Sequence, residues 1–443
     1  VRYLVLVLIW IAAGSPAFAQ TLGERVRTYF EPVAASRDFS GIIAARQGDA
    51  LMAYEAFGLA DFEAGTELSP RTRFETGSLT RALVIATLLE LEADNRLDRA
   101  AAVRDLIPEL TTDFTANVGA VISGTAPLPG VILPGDLRDA RGDTFIAWFN
   151  HALGDEGLLP AEQSDAWLPL LTLMAERAGG GRMELLATME VFAPLGMTGS
   201  AFYRGSGQAP TRLAERYRPA ALPLELTRAP ALDAGLIHRG WLASVDDLLA
   251  FGTALSSRRI DFFDDTGPVL GGLVQTVVEG EAVYVLEGEV SGGRAGLLIL
   301  PSRELVVAWA LNLDSYPADA MAQILTRLVR NDPIESLPVR RAAYPFEDGH
   351  FDAVGRYLMP GYGALELRSE NSELVLYPSA EILTPVGPDR LVWRSQNTEL
   401  VYRRRADGAV EHLAATRHLP LTLPESFDIV RTDLPEPISE GPN

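Results

Sequence analysis

Two short apolar segments near the start of the chain, Gly41-Ile42-Ile43-Ala44-Ala45 and Leu51-Met52-Ala53-Tyr54-Glu55-Ala56-Phe57, flank Gln47-Gly48-Asp49. Gly and Asp between two such runs signal a turn, so the pair reads as a β-hairpin. Residues 82–91 (ALVIATLLEL) are apolar on almost every face, the pattern of a helix set in the middle of a large core. From 111 to 150 the chain is rich in Gly, Pro, Thr and Asp with little periodicity, which predicts a long irregular connection. Asp165 to Ala178 has amphipathic spacing, with Pro169 early enough to be tolerated and Gly179-Gly180-Gly181 to stop the helix. Met183 to Val191 predicts another helix, ending before Pro194.

Three apolar segments follow, Ala282–Leu286, Ala295–Leu300 and Leu305–Leu311, separated by turns at Gly292-Gly293 and Pro301-Ser302. They read as antiparallel strands. Ala318–Val329 is a closing amphipathic helix, broken by Asn331-Asp332-Pro333, which marks a domain boundary. Past residue 340 short alternating segments recur: Ala364–Leu367, Glu373–Tyr377, Arg390–Trp393 and Glu399–Tyr402, with a hairpin turn at Arg405–Gly408. They predict a small antiparallel sheet or barrel over 340–425. The acidic, Pro-rich end, taken from 426 to 443, has little to bury and reads as a disordered tail.

The first residues change the picture of where the protein works. Arg2 is a short positive region, Leu4–Ala13 an apolar stretch too short to span a bilayer, and Ala17-Phe18-Ala19 a cleavage signal. Residues 1–19 therefore read as a signal peptide, and the mature chain as a periplasmic or secreted protein starting near Gln20. No later stretch approaches the ~18 apolar residues of a spanning helix. The chain carries 59 acidic against 38 basic residues, a formal net charge of -21. That argues against nucleic acid or an anionic membrane as the main partner. All 38 basic residues are Arg, and Cys is absent. Thiol catalysis, cysteine-ligated zinc and every mechanism needing a lysine amine are excluded. The five histidines, at 151, 238, 350, 412 and 418, form no metal-ligand pattern with the carboxylates, so no metal or other cofactor is expected.

One segment carries candidate chemistry. Phe74-Glu75-Thr76-Gly77-Ser78-Leu79-Thr80-Arg81 leads straight into the apolar helix. A serine at the N-terminus of a buried helix meets unpaired N–H groups and the positive end of the helix dipole, which favour an alkoxide or oxyanion. The same position suits a plain helix cap, since Ser is a favoured N-cap.

The surroundings of this segment resemble the serine β-lactamase and penicillin-binding-protein-like family of serine hydrolases. The points of resemblance are Phe39-Ser40-Gly41, Phe57-Gly58-Leu59-Ala60-Asp61, Arg73–Ser78, Asn95-Arg96-Leu97-Asp98 and Leu106-Ile107-Pro108-Glu109. Later come Phe192-Ala193-Pro194-Leu195-Gly196-Met197-Thr198 and Gly240-Trp241-Leu242-Ala243-Ser244-Val245-Asp246-Asp247-Leu248, in family order. The resemblance implies an α+β fold. It consists of a β-lactamase/transpeptidase-like domain over 20–335, an antiparallel sheet flanked by terminal helices with an inserted helical region. A small all-β, barrel-like or lipocalin-like domain follows.

The family's chemistry uses S-x-x-K, a Y-x-N or S-x-N element, and a strand motif such as H-T-G or K-T-G that lines the pocket. Here the resemblance places Ser78 as nucleophile, but Arg81 stands in the lysine position. Gln163, Ser164 and Asp165 stand at Y-x-N. Asp165 is open to two readings, a proton acceptor or the cap of the following helix. Val290-Ser291-Gly292-Gly293 stands at H-T-G-G, leaving Ser291, Gly292 and Gly293 as groove residues or as an ordinary turn. A guanidinium with a pKa above about 12 is no base at neutral pH. The resemblance therefore implies a catalytically impaired exported hydrolase that keeps its groove for a small-molecule, peptide or ester ligand. Two alternatives stay open. One is an active esterase, peptidase or lactamase using Ser78 with Asp165 or a histidine as base. The other is a scaffold or regulatory module acting through the β domain.

Overall fold

The computed structural model describes residues 20–130, 142–154, 157–202, 211–220, 225–229, 240–262, 273–278, 280–314, 318–334, 344–361, 363–394, 396, 398–417 and 425–433. The expected signal peptide, His238, His418 and the last ten residues lie outside them.

The first domain is built on a six-stranded antiparallel sheet. Its strands are β1 (Gly41–Gln47), β2 (Ala50–Phe57), β3 (Val274–Val278), β4 (Glu281–Val290), β5 (Gly293–Leu300) and β6 (Leu305–Leu311), in the order β3-β4-β5-β6-β1-β2. β1 enters beside the last strand, Gly41 opposite Leu311. The hairpin and the three later strands are as the sequence predicts; the edge strand β3 is an addition. β5 and β6 are buried at every position because helices cover both faces. Successive residues of a strand point to opposite sides. Ile43, Ala45, Val307 and Trp309 face α1 (Leu22–Ala35) and the closing helix α5 (Ala318–Arg330). Ile42, Ala44, Ala308 and Ala310 face α2 (Thr80–Ala93), α3 (Trp167–Gly179) and α4 (Val245–Ser256).

α2 is the all-round apolar helix, and it sits where such a helix must, between the sheet and α3. Leu83, Val84, Ile85, Leu88 and Leu91 are fully buried on it, each contributing about 1.5–3 kcal/mol. α3 ends at Gly180, whose φ of +63° closes the helix in the left-handed region. The helix from Met183 continues through Pro194 to Leu195, past its expected end. Of the stretch 111–150, residues 131–141 lie outside the described residues, and the rest is more regular than expected. Asp143–Ala152 is a helix, its buried Phe145, Ile146, Phe149 and Ala152 lying on one face.

Asn312, just after β6, ties the resemblance segments together. Its Oδ1 accepts from Ser40 Oγ at 2.8 Å, and its Nδ2 donates to the carbonyls of Leu59 and Glu215, each at 2.9 Å. Gly58, at φ +74°, passes so close that a Cβ would stand 2.5 Å from Ser40 Oγ.

The second domain is a nine-stranded meander between Gly355 and Arg431. Each strand pairs with its neighbour in sequence, and the last, Glu425–Arg431, pairs with the first, Gly355–Met359. The ladder is interrupted between Glu381–Ile382 and Thr384–Gly387. Only Leu383 separates these strands, so the sheet's two edges are held together by one residue and it curls into a near-barrel. The tail expected from 426 is thereby corrected: Glu425–Arg431 is the closing strand, with Ile429 in the barrel core beside Leu413. The barrel meets the first domain through buried Arg394, whose Nε donates to Asp38 Oδ1 at 2.5 Å and whose Nη2 reaches the Arg37 carbonyl.

Candidate active site

Ser78 lies in a single turn of 3-10 helix, Gly77–Leu79, that runs directly into α2. The turn is fixed by main-chain and threonine contacts. Thr80 Oγ1 donates to the Gly77 carbonyl at 2.8 Å, and both the N–H and Oγ1 of Thr76 donate to the Trp241 carbonyl, at 3.1 and 2.8 Å. Trp241 is fully buried and opens the segment that leads into α4. α4 is started by a capping box between Ser244 and Asp247. Behind the serine, Glu75 and Arg216 form a buried ion pair, Nε to Oε2 2.9 Å.

The wall opposite Ser78 is the end of β4. Gly77 has φ +56°, and a Cβ there would strike the Glu289 main chain; a Cβ on Gly288 would strike the Thr76 carbonyl and the Leu79 nitrogen. These two glycines let main chain meet main chain. Ser78 is exposed and shares a cavity of about 200 Å³ with Glu287, Gly288, Glu289, Arg294, Ala295 and Trp309. Among the described residues no carboxylate or imidazole hydrogen-bonds to the Ser78 hydroxyl.

Arg81 follows Ser78 by one helical turn and lays its guanidinium over the Trp167 ring, 4.6 Å from the centroid. Trp167, at the start of α3, is itself held by a 2.6 Å bond from Nε1 to the Val121 carbonyl. Gln163 and Asp165 are both exposed and flank buried Ser164; neither lines the Ser78 cavity. Asp165 stands one residue before the cap position of α3. α3 starts at Trp167 with Ala166 in the cap position, and the Ala166 N–H is accepted by Ser164 Oγ, which also donates to the Pro129 carbonyl.

Ser291 and Gly292 form the two-residue loop of the β4–β5 hairpin, with Val290 opposite Gly293 and Gly292 at φ +80°. The segment is a hairpin turn, and Ser291 lines a neighbouring cavity together with Glu289 and Arg294. Gly292 packs against Arg216, Tyr217 and Ala229, the Ser291 carbonyl accepts from Arg216 Nη1, and neither residue lines the Ser78 cavity. The strand residues beside the serine are Glu287, Gly288 and Glu289, which sequence reasoning missed. The letters Ser-Gly-Gly attract the match, while the strand that precedes them makes the approach. A period-two reading carried back from the turn would have put Gly288 inward and the two glutamates outward.

Arg294 of β5 sits directly across from Glu289. It is buried and bonds to Glu289 Oε2 and Asp314 Oδ1, each at 3.3 Å. Of the remaining histidines, His350 is buried in the barrel, where Nε2 meets the Gly387 carbonyl at 2.8 Å and Nδ1 accepts the Glu347 N–H at 2.9 Å. His151 is exposed on the Asp143–Ala152 helix and His412 half-buried on the barrel.

A serine at the mouth of a buried helix, walled by the strand of a helix-covered antiparallel sheet, defines a protein of the β-lactamase/transpeptidase fold. The β-lactamase family model matches residues 26–330, and the chain belongs to that family. No curated protein matches it. Among solved structures it is similar to SurE, with 21% identity and a TM-score of 0.58 over 92% of this chain and 98% of that one. It is also similar to the octameric penicillin-binding protein homologue from Pyrococcus abyssi, with 17% identity and a TM-score of 0.59 over 90% and 96%. A class C β-lactamase matches at 16% identity and a TM-score of 0.57 over 72% of this chain and 97% of its own. At these identities the likeness is one of fold.

Proposed function

We infer that this chain is an exported β-lactamase-family protein that binds a ligand over Ser78 without the family's amine-driven acyl transfer. The observation that carries this reading is Arg81. The position one turn beyond the serine, where the proton acceptor is needed, holds a guanidinium stacked on Trp167. It stays protonated through the physiological range and accepts no proton from Ser78. The wall beside Ser78 supplies Glu287 and Glu289, with Arg294 across from Glu289. Export rests on the Arg2, Leu4–Ala13 and Ala17-Phe18-Ala19 pattern and is tested by N-terminal sequencing of the protein from a periplasmic fraction, a start near Gln20 being expected.

The test of the site is intact-mass spectrometry after incubation with a fluorophosphonate and, separately, a penicillin, with Ser78→Ala as control. No adduct on either protein is expected. An adduct on the wild type alone overturns the reading and favours a second one, an active serine with a carboxylate base. The presence of Glu287 and Glu289 in the Ser78 cavity is the observation behind that alternative.

A further inference from the structure

We propose that the edge strand β3 is a self-association surface, on which a second copy of this chain pairs its own β3 antiparallel across a two-fold axis centred on Thr276. The proposal is independent of the reading of Ser78. Its seam is Val274–Val278, whereas the serine cavity is walled by Glu287, Gly288 and Glu289 of β4.

A strand at a sheet edge presents a row of unpaired N–H and C=O groups, and proteins usually blunt it with a charge, a proline, a bulge or a cover. The other edge of this sheet, β2, is blunted in that way. Its ladder with β1 shifts register at Ala45/Arg46, and it carries the charge of Glu55, matched by Arg27 at 2.9 and 3.0 Å. β3 has none of these devices. Its five residues, Val-Gln-Thr-Val-Val, include no charge, glycine or proline. Its ladder with β4 runs without a shift from Val274 opposite Val285 to Val278 opposite Glu281. Among the described residues no strand lies on its outer side. Residues 274–277 are exposed on both faces of the strand, with Val274 at 62% and Val277 at 63%, so neither helix layer covers them.

Two features select a copy of the same chain as the occupant. The first is charge. At a net charge of -21 two copies repel each other over most approaches, and β3 offers a contact with no charge on it. Glu281, opposite Val278, is already held by Arg303 at 2.7 Å. The second feature is register. Directly opposed residues of an antiparallel pair point to the same side of the sheet. Centred on Thr276, the pairing sets Val274 against the partner's Val278 and Gln275 against the partner's Val277, and it brings the two threonines together. Val–Val and Thr–Thr neighbours are contacts that stabilise paired strands. The two six-stranded sheets then join edge to edge. Because β2 is blunted, the assembly closes at two copies. A five-residue seam is small for an interface, so the dimer forms weakly, at roughly tens of micromolar protein.

The test is sedimentation equilibrium of the full chain from about 1 to 300 µM, at low and at high salt. A monomer at the lowest concentration and twice that mass at the highest are expected. Association should tighten several-fold in high salt, which screens the mutual repulsion. The double variant Val274→Lys with Val277→Lys should weaken it by at least about tenfold; both side chains face solvent, where the fold tolerates replacement. The chain has no Cys, which permits a separate test of register. Thr276→Cys should form an intermolecular disulfide on mild oxidation, because opposed Cα atoms lie about 4.5–5.5 Å apart, within disulfide reach. Val274→Cys should not, since the two copies of that position stand roughly 13 Å apart along the seam. A chain that stays monomeric, association that weakens in salt, a dimer indifferent to the lysine pair, oligomers that keep growing with concentration, or equal cross-linking of the two cysteine variants each overturns the proposal.

Discussion

Arg394, at the end of a barrel strand, reaches into the serine domain and closes on Asp38, with both side chains buried. This pair joins the loop after α1 to the second domain, so the barrel is docked through a desolvated charge pair. Removing one partner strands the other, at a cost of about 3–5 kcal/mol. Arg394→Met should lower the melting temperature and separate the unfolding of the two domains in calorimetry. The double variant Asp38→Asn with Arg394→Met should recover much of the loss, because neither charge is then buried alone.

Gly288 is the narrowest point of the site. Its Cβ position is already occupied by the Thr76 carbonyl, so Gly288→Ala must push the serine turn away from β4. A loss of about 1–3 kcal/mol is expected in urea denaturation. Gly154→Ala, whose added carbon meets a main-chain oxygen only at 3.4 Å, serves as control and should stay within about 0.5 kcal/mol.

Arg81→Lys would place an amine one turn from Ser78. The stacking on Trp167 weakens, by about 0.5–1 kcal/mol. Fluorophosphonate labelling of Ser78 should rise above the wild-type level and increase with pH, because only the neutral amine accepts the hydroxyl proton. Labelling that remains at background across pH 6–10 would show that the serine also lacks something other than the amine.

Asp61 holds its carboxyl below the ordinary range. The Ala64 N–H is the main cause, with the Tyr217 hydroxyl and the Glu63 N–H adding to it. A depressed folded value means stability that is present above the unfolded value and lost as pH falls through the folded one. The wild type should therefore lose stability below about pH 4. Asp61→Asn should be weaker at pH 7, by about 1–2 kcal/mol, and flatter between pH 7 and pH 3 in urea midpoints.

The parts of this protein that could be read from sequence are those with local causes. Ser78 stands out because Thr76-Gly77-Ser78 precedes a helix too apolar to lie anywhere but in a core. The hairpins announce themselves by turn residues between apolar runs. What escaped depends on register or on distant contacts. The glutamates opposite Ser78 lie only a few residues before Ser291-Gly292, and glycine alone does not say which of two nearby glycines touches the serine turn. The Asp143–Ala152 helix hides in a Gly- and Pro-rich stretch. The strand Glu425–Arg431 looks like tail until the barrel supplies the first strand as its partner. Asp165 has the composition of a cap, yet Ala166 stands in the cap position.

The meeting of Gly77 with the end of β4 has a wider consequence. The position of Ser78 is written in glycines, threonines and main-chain carbonyls, while the proton acceptor that a reactive serine needs is a side chain. The two can therefore drift apart over time. A lineage can discard its proton acceptor and still keep a serine presented to solvent at the mouth of a helix. Such a frame could be set to new chemistry by a handful of side-chain replacements without refolding anything.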